Sequence, residues 1–134
     1  MSRQLELIRG LRNLRPEHRG CVATIGNYDG VHRGHQHMLE ATRRKADELG
    51  MPVTVVTFEP TPREFFEGPT APARLMRLRE KLEALALYGV DRVVVLRFDA
   101  RMRNFSAEEF EQQLLVAGLG VRHMVVGHDF HYAR

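Results

Sequence analysis

Four short segments of this chain are apolar almost without interruption: Cys21–Ile25, Val53–Phe58, Val93–Leu96 and Met124–Val126. They are rich in β-branched residues and do not alternate with polar ones. That is the pattern of strands buried on both faces, as in a parallel sheet. Between them, apolar positions recur at helical spacing. One helix is predicted from about Gly34 to Leu49, where Gly50 and Pro52 stop it. A second carries Leu75, Leu78, Leu82 and Leu85 as one stripe and ends at Gly89. A third opens at Ser106 with Glu109 as its capping box, has Phe105 and Phe110 as a hydrophobic staple, and ends at Gly118 and Gly120. Leu5–Arg9 reads as a short extra strand. Strands alternating with helices predict right-handed crossovers, hence an α/β fold with a parallel, doubly wound sheet and helices on both faces.

Composition narrows the picture. With 134 residues, 43% apolar and 28% charged, the chain is expected to form one soluble globular domain. No apolar run approaches the ~20 residues of a membrane span. Met1 to Arg15 lacks the continuous apolar core of a secretory signal. The lone Cys21 cannot form an internal disulfide, fits a reducing cytoplasm, and is expected to pack as a small hydrophobe. Net charge is +3, but the basic residues are scattered. Pairs such as Glu40 with Arg44 and Arg43 with Asp47 predict solvated helix faces. Without a basic stripe interleaved with aromatics, nucleic acid is not the expected partner. Four prolines, Pro60, Pro62, Pro69 and Pro72, make residues 59 to 73 a long irregular connection, often a functional one. The sequence stops soon after its last strand, which predicts a domain incomplete at its C-terminus.

The chemistry concentrates at residues 24 to 37. The first strand leads into glycines 26, 30 and 34 and into His32 and His35, and a helical pattern follows at once. Strand, glycine-rich turn and helix N-terminus together make an anion site. The loop is neither Walker A nor the G-x-G-x-x-G fingerprint. His-x-Gly-His at this junction resembles the nucleotidyltransferase signature. In nucleotidyl transfer the protein chiefly positions phosphates and stabilises their growing charge, which paired imidazoles and a helix dipole can do. Mg²⁺ is expected to arrive with the nucleoside triphosphate. His37 lies about 200° around an ideal helix from His35, and no Cys or carboxylate cluster joins them, so no protein-held metal is expected. Two further segments leave strand ends. In one, the rigid Pro60 and Pro62 precede Phe65 and Phe66, which can stack on a planar ligand. The other is Asp129-Phe130-His131-Tyr132, where such sheets bind ligands.

Gly26-Asn27-Tyr28-Asp29-Gly30-Val31-His32-x-Gly34-His35, Phe58-Glu59-Pro60-x-Pro62-Arg63-Glu64-Phe65-Phe66 and Gly127-x-Asp129-Phe130 stand in the order and spacing of one family. Together they resemble the FMN adenylyltransferase module of bacterial bifunctional riboflavin kinase/FAD synthetases, a Rossmann-like nucleotidyltransferase. The resemblance implies that FMN and ATP give FAD and pyrophosphate. It implies catalytic roles for His32 and His35, and an ATP loop shaped by Gly26, Asn27, Asp29 and Gly34. It also implies a flavin side lined by Pro60, Pro62 and Phe66, with Asp129 and Tyr132 where adenine, phosphate and flavin meet. The chain departs from the family at Tyr28 (Phe there), Thr61 (His there) and His131-Tyr132-Ala133. Residues 1–134 would be the FAD synthetase domain, without its final ATP-binding segment and without the riboflavin kinase domain. A flavin- or nucleotide-binding fragment without turnover is the alternative, as is an adenylyl- or cytidylyltransferase for another phosphorylated small molecule. Oligomeric state is not written in these residues.

Overall fold

The structure, a computed structural model, describes residues 5–10, 13–16, 19–26, 33–58, 78–97, 109, 112 and 118–126. In chain order these form β1 (Glu6–Arg9), β2 (Cys21–Ile25), α1 (Arg33–Leu49), β3 (Val53–Phe58), α2 (Leu78–Leu87), β4 (Arg92–Leu96) and β5 (Val121–Val126). The strands make one five-stranded sheet in the order β1-β4-β3-β2-β5, and every pairing is parallel. The three central strands are the nearly uninterrupted apolar runs, buried on both faces. The extra N-terminal strand is present at one edge. β5 begins at Val121, three residues before its apolar run, because Arg122 and His123 stay exposed on an edge strand. The body of the third predicted helix lies outside the described residues, as does the 59–73 connection.

Strand alternation sorts the core into two layers. On one face Val22, Val53, Val55, Val93 and Val95 pack with Leu39 and Ala46 of α1 and Leu85 of α2. On the other, Cys21, Ala23, Ile25, Val56, Phe58, Val94 and Leu96 pack with Ile8 and Leu119. Two successive crossovers step in the same direction, from β2 to β3 to β4, and right-handedness therefore puts α1 and α2 on the same face. The chain then reverses and sets β5 on the far side of β2. The order of the sheet switches between β2 and β5, which is where doubly wound sheets open a crevice at their carboxyl edge.

The opposite, amino edge is closed by a polar clasp. Arg43 Nη1 of α1 donates to Gly89 O at 2.9 Å and to Asp91 Oδ2 at 2.9 Å, while Nη2 bridges Asp47 Oδ1 at 2.7 Å. Asp91 Oδ2 also accepts from the Val53 N–H at 2.8 Å. The solvated-face reading of Arg43 and Asp47 is thus half right. The pair forms, but Arg43 turns inward and ties α1 to the turn before β4. Gly89 has φ +83°, and a Cβ there would stand 2.8 Å from Arg43 Cδ.

Candidate active site

The loop that follows β2 starts at Gly26, which is buried and donates its N–H to Val56 O at 3.0 Å. β2 is therefore held beside β3 up to the point where the glycine-rich loop departs. On its other flank Ile25 is in register with Val126 of β5. The three segments singled out in the sequence leave the carboxyl ends of β3, β2 and β5, which are consecutive in the sheet. Chain segments separated by up to a hundred positions thus depart from one stretch of rim.

α1 brings its N-terminus to that rim. The helix runs antiparallel to the strands, and His35, Leu39, Thr42 and Ala46 form a 4-3-4 stripe on its sheet-facing side; the last three are fully buried. His35 is half-buried, its Nδ1 is closed off from solvent, and the residue engages its neighbours. From Leu39 to His35 the helix advances ~6 Å toward the carboxyl edge. From Val22 to Thr24 the strand advances about as far on the same face. Leu39 and Val22 share a core layer, and His35 and Thr24 each stand one such step nearer that edge. His37, two positions on, is exposed and takes no part in that face. Gly34 lies inside α1, in its first turn, so the glycine belongs to the helix rather than to a kink before it. No acidic side chain stands in that turn, so the helix itself sets no carboxylate against the positive end of its dipole. α2 differs, with Glu80 in its first turn.

Three buried polar side chains at this end escaped the sequence reading. Thr24 and Thr57 are 0% exposed and Lys81 is 1% exposed. All three interact with neighbours. The signal was available: both threonines sit at the carboxyl ends of apolar runs, and Lys81 stands within the Leu78–Leu85 stripe of α2. Lys81 is one turn before Leu85, hence ~6 Å nearer the carboxyl edge. Cys21 begins β2, at the other end of that strand. Burial pushes its thiol pKa up, with Thr54 and Arg92 opposing more weakly.

Of the residues predicted for the site, Gly26, Gly34 and His35 are placed as above. His32, Asn27, Asp29, Pro60, Pro62, Phe66, Asp129 and Tyr132 lie outside the described residues. Among the described residues no group of His, Cys, Asp or Glu is placed to hold a metal, and no helix is long and apolar enough to cross a membrane.

Comparison with known proteins bears on this rim. Residues 14–134 match the FAD synthetase family. Over 128 residues the chain is 60% identical to the bifunctional riboflavin kinase/FMN adenylyltransferase of Pseudomonas fluorescens, covering 96% of this chain and 41% of that protein. It is 48% identical to the protein of the same name from Haemophilus influenzae, covering 96% and 42%. The Escherichia coli K12 protein, with the same name again, is also 48% identical, covering 96% and 41%. The chain thus spans about two fifths of the length of these relatives. A solved structure described as a macrolide-efflux protein from Streptococcus pneumoniae superposes with TM-score 0.82 over 96% of this chain and 43% of the other. At 22% identity, that likeness concerns the fold.

Proposed function

The chain belongs to the FAD synthetase family, and on that premise we propose that it transfers the adenylyl group of ATP to FMN, giving FAD and pyrophosphate. One observation carries the reading. The ends of β3, β2 and β5 are contiguous at the point where the sheet order reverses, and the first turn of α1 stands over that rim. A phosphate oxygen of FMN attacks the α-phosphorus of ATP. The bond to the pyrophosphate oxygen breaks, and pyrophosphate leaves with its electron pair, accompanied by the Mg²⁺ that entered with ATP. Little covalent work falls to the protein, so its contribution is placement and charge stabilisation.

In this reading His35, already oriented by its seat on the sheet-facing stripe of α1, donates to the phosphoryl oxygens together with His32 and the N-terminal end of the helix. Gly26, Asn27, Asp29 and Gly34 shape the loop around the triphosphate. Pro60, Pro62 and Phe66 offer the flavin a stiff, apolar wall, and Asp129 and Tyr132 close the cleft from the β5 side. Residues 1–134 are assigned adenylyl transfer alone. Riboflavin phosphorylation, the other activity in the relatives' name, is not assigned to them. The lone Cys21, free and buried, fits a reducing compartment, and a cytoplasmic location is part of this reading.

The test is direct. Incubated with FMN and ATP·Mg²⁺, the chain should yield FAD and pyrophosphate in equal amounts, separable by chromatography. His35→Ala should lower the rate by at least ~10²-fold, the scale for losing one preorganised donor. FMN fluorescence should be quenched on titration with the wild-type chain. A His35→Ala variant that makes FAD at the wild-type rate would defeat the assignment.

A further inference from the structure

Several arginines of the fold are matched by carboxylates. Arg15 and Arg92 meet Glu6, Arg43 meets Asp47 and Asp91, and Arg79 meets Glu83. Arg9 and Arg97 are exposed and have no such partner among the described residues. The sheet sets these two side by side. Arg9 ends β1 and is in register with Val95 of β4, and Arg97 stands two residues beyond Val95, just past the end of β4. Strand spacing and rise put their Cα atoms about 8 Å apart. Alternation places both on the face of Val93 and Val95, which α1 and α2 cover. Ile25 is level with Val56, and Thr57 with Val95, so Gly26, Thr57, Val95 and Arg9 form one row across the sheet. Arg9 is then about 14 Å from Gly26, and Arg97 about 12 Å. Two like charges thus stand together at the carboxyl edge, on the face where α1 presents its N-terminus. Like charges so placed repel, and an anion near both relieves the repulsion.

We propose that Arg9 and Arg97 form a capture site on the carboxyl rim for the anionic substrates, FMN and ATP, drawing them from solution toward the loop that starts at Gly26. This rests on the adenylyl-transfer reading and deepens it. Both substrates are net anions, and fixed charges of opposite sign beside a binding site raise the rate of encounter. The distances decide which step is affected. The pair stands about 12–14 Å from Gly26, beyond the ~8 Å screening length of physiological salt but well inside the ~30 Å length at 0.01 M. Neither arginine needs to touch the settled ligand. An arriving ligand and a bound one feel the pair at similar range, so the gain falls on association rather than dissociation, and it fades as salt is added.

The test separates the place of the charge from its amount. FMN association is followed by stopped-flow fluorescence quenching with the wild-type chain and with Arg9→Gln combined with Arg97→Gln. Arg44 and Arg122 are exposed too, but lie in the second half of α1 and at the amino start of β5. Arg44→Gln combined with Arg122→Gln therefore removes the same charge away from the rim. At about 0.01 M salt the rim variant should associate about three- to fivefold more slowly than wild type, and at about 0.15 M less than about twofold more slowly. Its dissociation rate and thermal midpoint should match wild type. Arg9→Lys with Arg97→Lys, which keeps both charges, should associate at the wild-type rate. Should the rim variant melt early, each single variant is read by the same salt series, with about a twofold loss expected at low salt. Wild-type association by the rim variant at low salt, a slowing that salt does not remove, or an equal slowing in the control variant overturns the inference alone. A wild-type chain that does not bind FMN overturns it together with the functional reading.

Discussion

Replacing Asp91 by alanine should loosen the amino edge of the sheet without touching the chemistry at the other edge. One carboxylate oxygen holds both the Arg43 guanidinium at 2.9 Å and the Val53 N–H at 2.8 Å. Hydrogen bonds to a charged group contribute roughly 1.5–3 kcal/mol each, and a buried donor left without an acceptor costs ~1–3 kcal/mol. Arg43 keeps Asp47 and the carbonyls of Gly89 and Met51, so its charge is not stranded. The side chains of Arg43 and Asp91 are also 19% and 24% exposed, so water can replace part of the loss. These considerations bring the expected cost to about 2–4 kcal/mol, a large share of the ~5–15 kcal/mol that stabilises a domain. Urea unfolding should show a midpoint lowered by about 1–2 M with the slope unchanged. In a cycle with Arg43→Met, the double variant should be clearly less destabilised than the sum of the two singles. A loss below ~1 kcal/mol, or strict additivity, would refute this account of the clasp. FAD formation per folded molecule should stay at the wild-type level.

Two other substitutions probe the same frame. Gly89→Ala combines a φ of +83° with a Cβ at 2.8 Å from Arg43 Cδ; a loss of about 2 kcal/mol or more is expected, and a neutral effect in thermal melts would contradict the geometry. The Cys21 thiol is raised above its usual 9.0 by burial. Above that value the unfolded chain releases a proton that the folded chain retains, so stability should be full below it and decline as pH rises through the folded pKa. Denaturant midpoints measured from pH 7 to 10.5 check this, and Cys21→Ala should remove the thiol's share of the alkaline decline.

The strands were legible because burial on both faces demands uninterrupted apolar residues, and β2 and β3 could be bounded to the residue. β5 was only half legible, since Arg122 and His123 are polar at a position where an edge strand tolerates them. Arg43 shows why long-range partners were not readable. Its i,i+4 neighbour Asp47 is visible in the sequence, but Asp91 becomes a neighbour only once β3 and β4 pair. His35 could be found because the chemistry repeats an imidazole three positions from another across a glycine. Lys81, Thr24 and Thr57 left only a fainter trace, as polar residues inside apolar runs and stripes, with nothing to mark them as sharing one region. Only the register of the strands and the rotation of α2 bring them to one end of one face.

The pairing of β2 with β5 has a consequence for how the protein is made. β2 finds β3 and its helix within a few dozen residues, and β4 soon after, so most of the sheet can assemble while the ribosome is still at work. β5 must then return to the flank of β2, the second strand to emerge. That contact closes the longest loop in the described fold and is entropically the most demanding. It is also the contact at which the order of the sheet reverses, so a nascent chain lacks that switch point until translation has passed Val126.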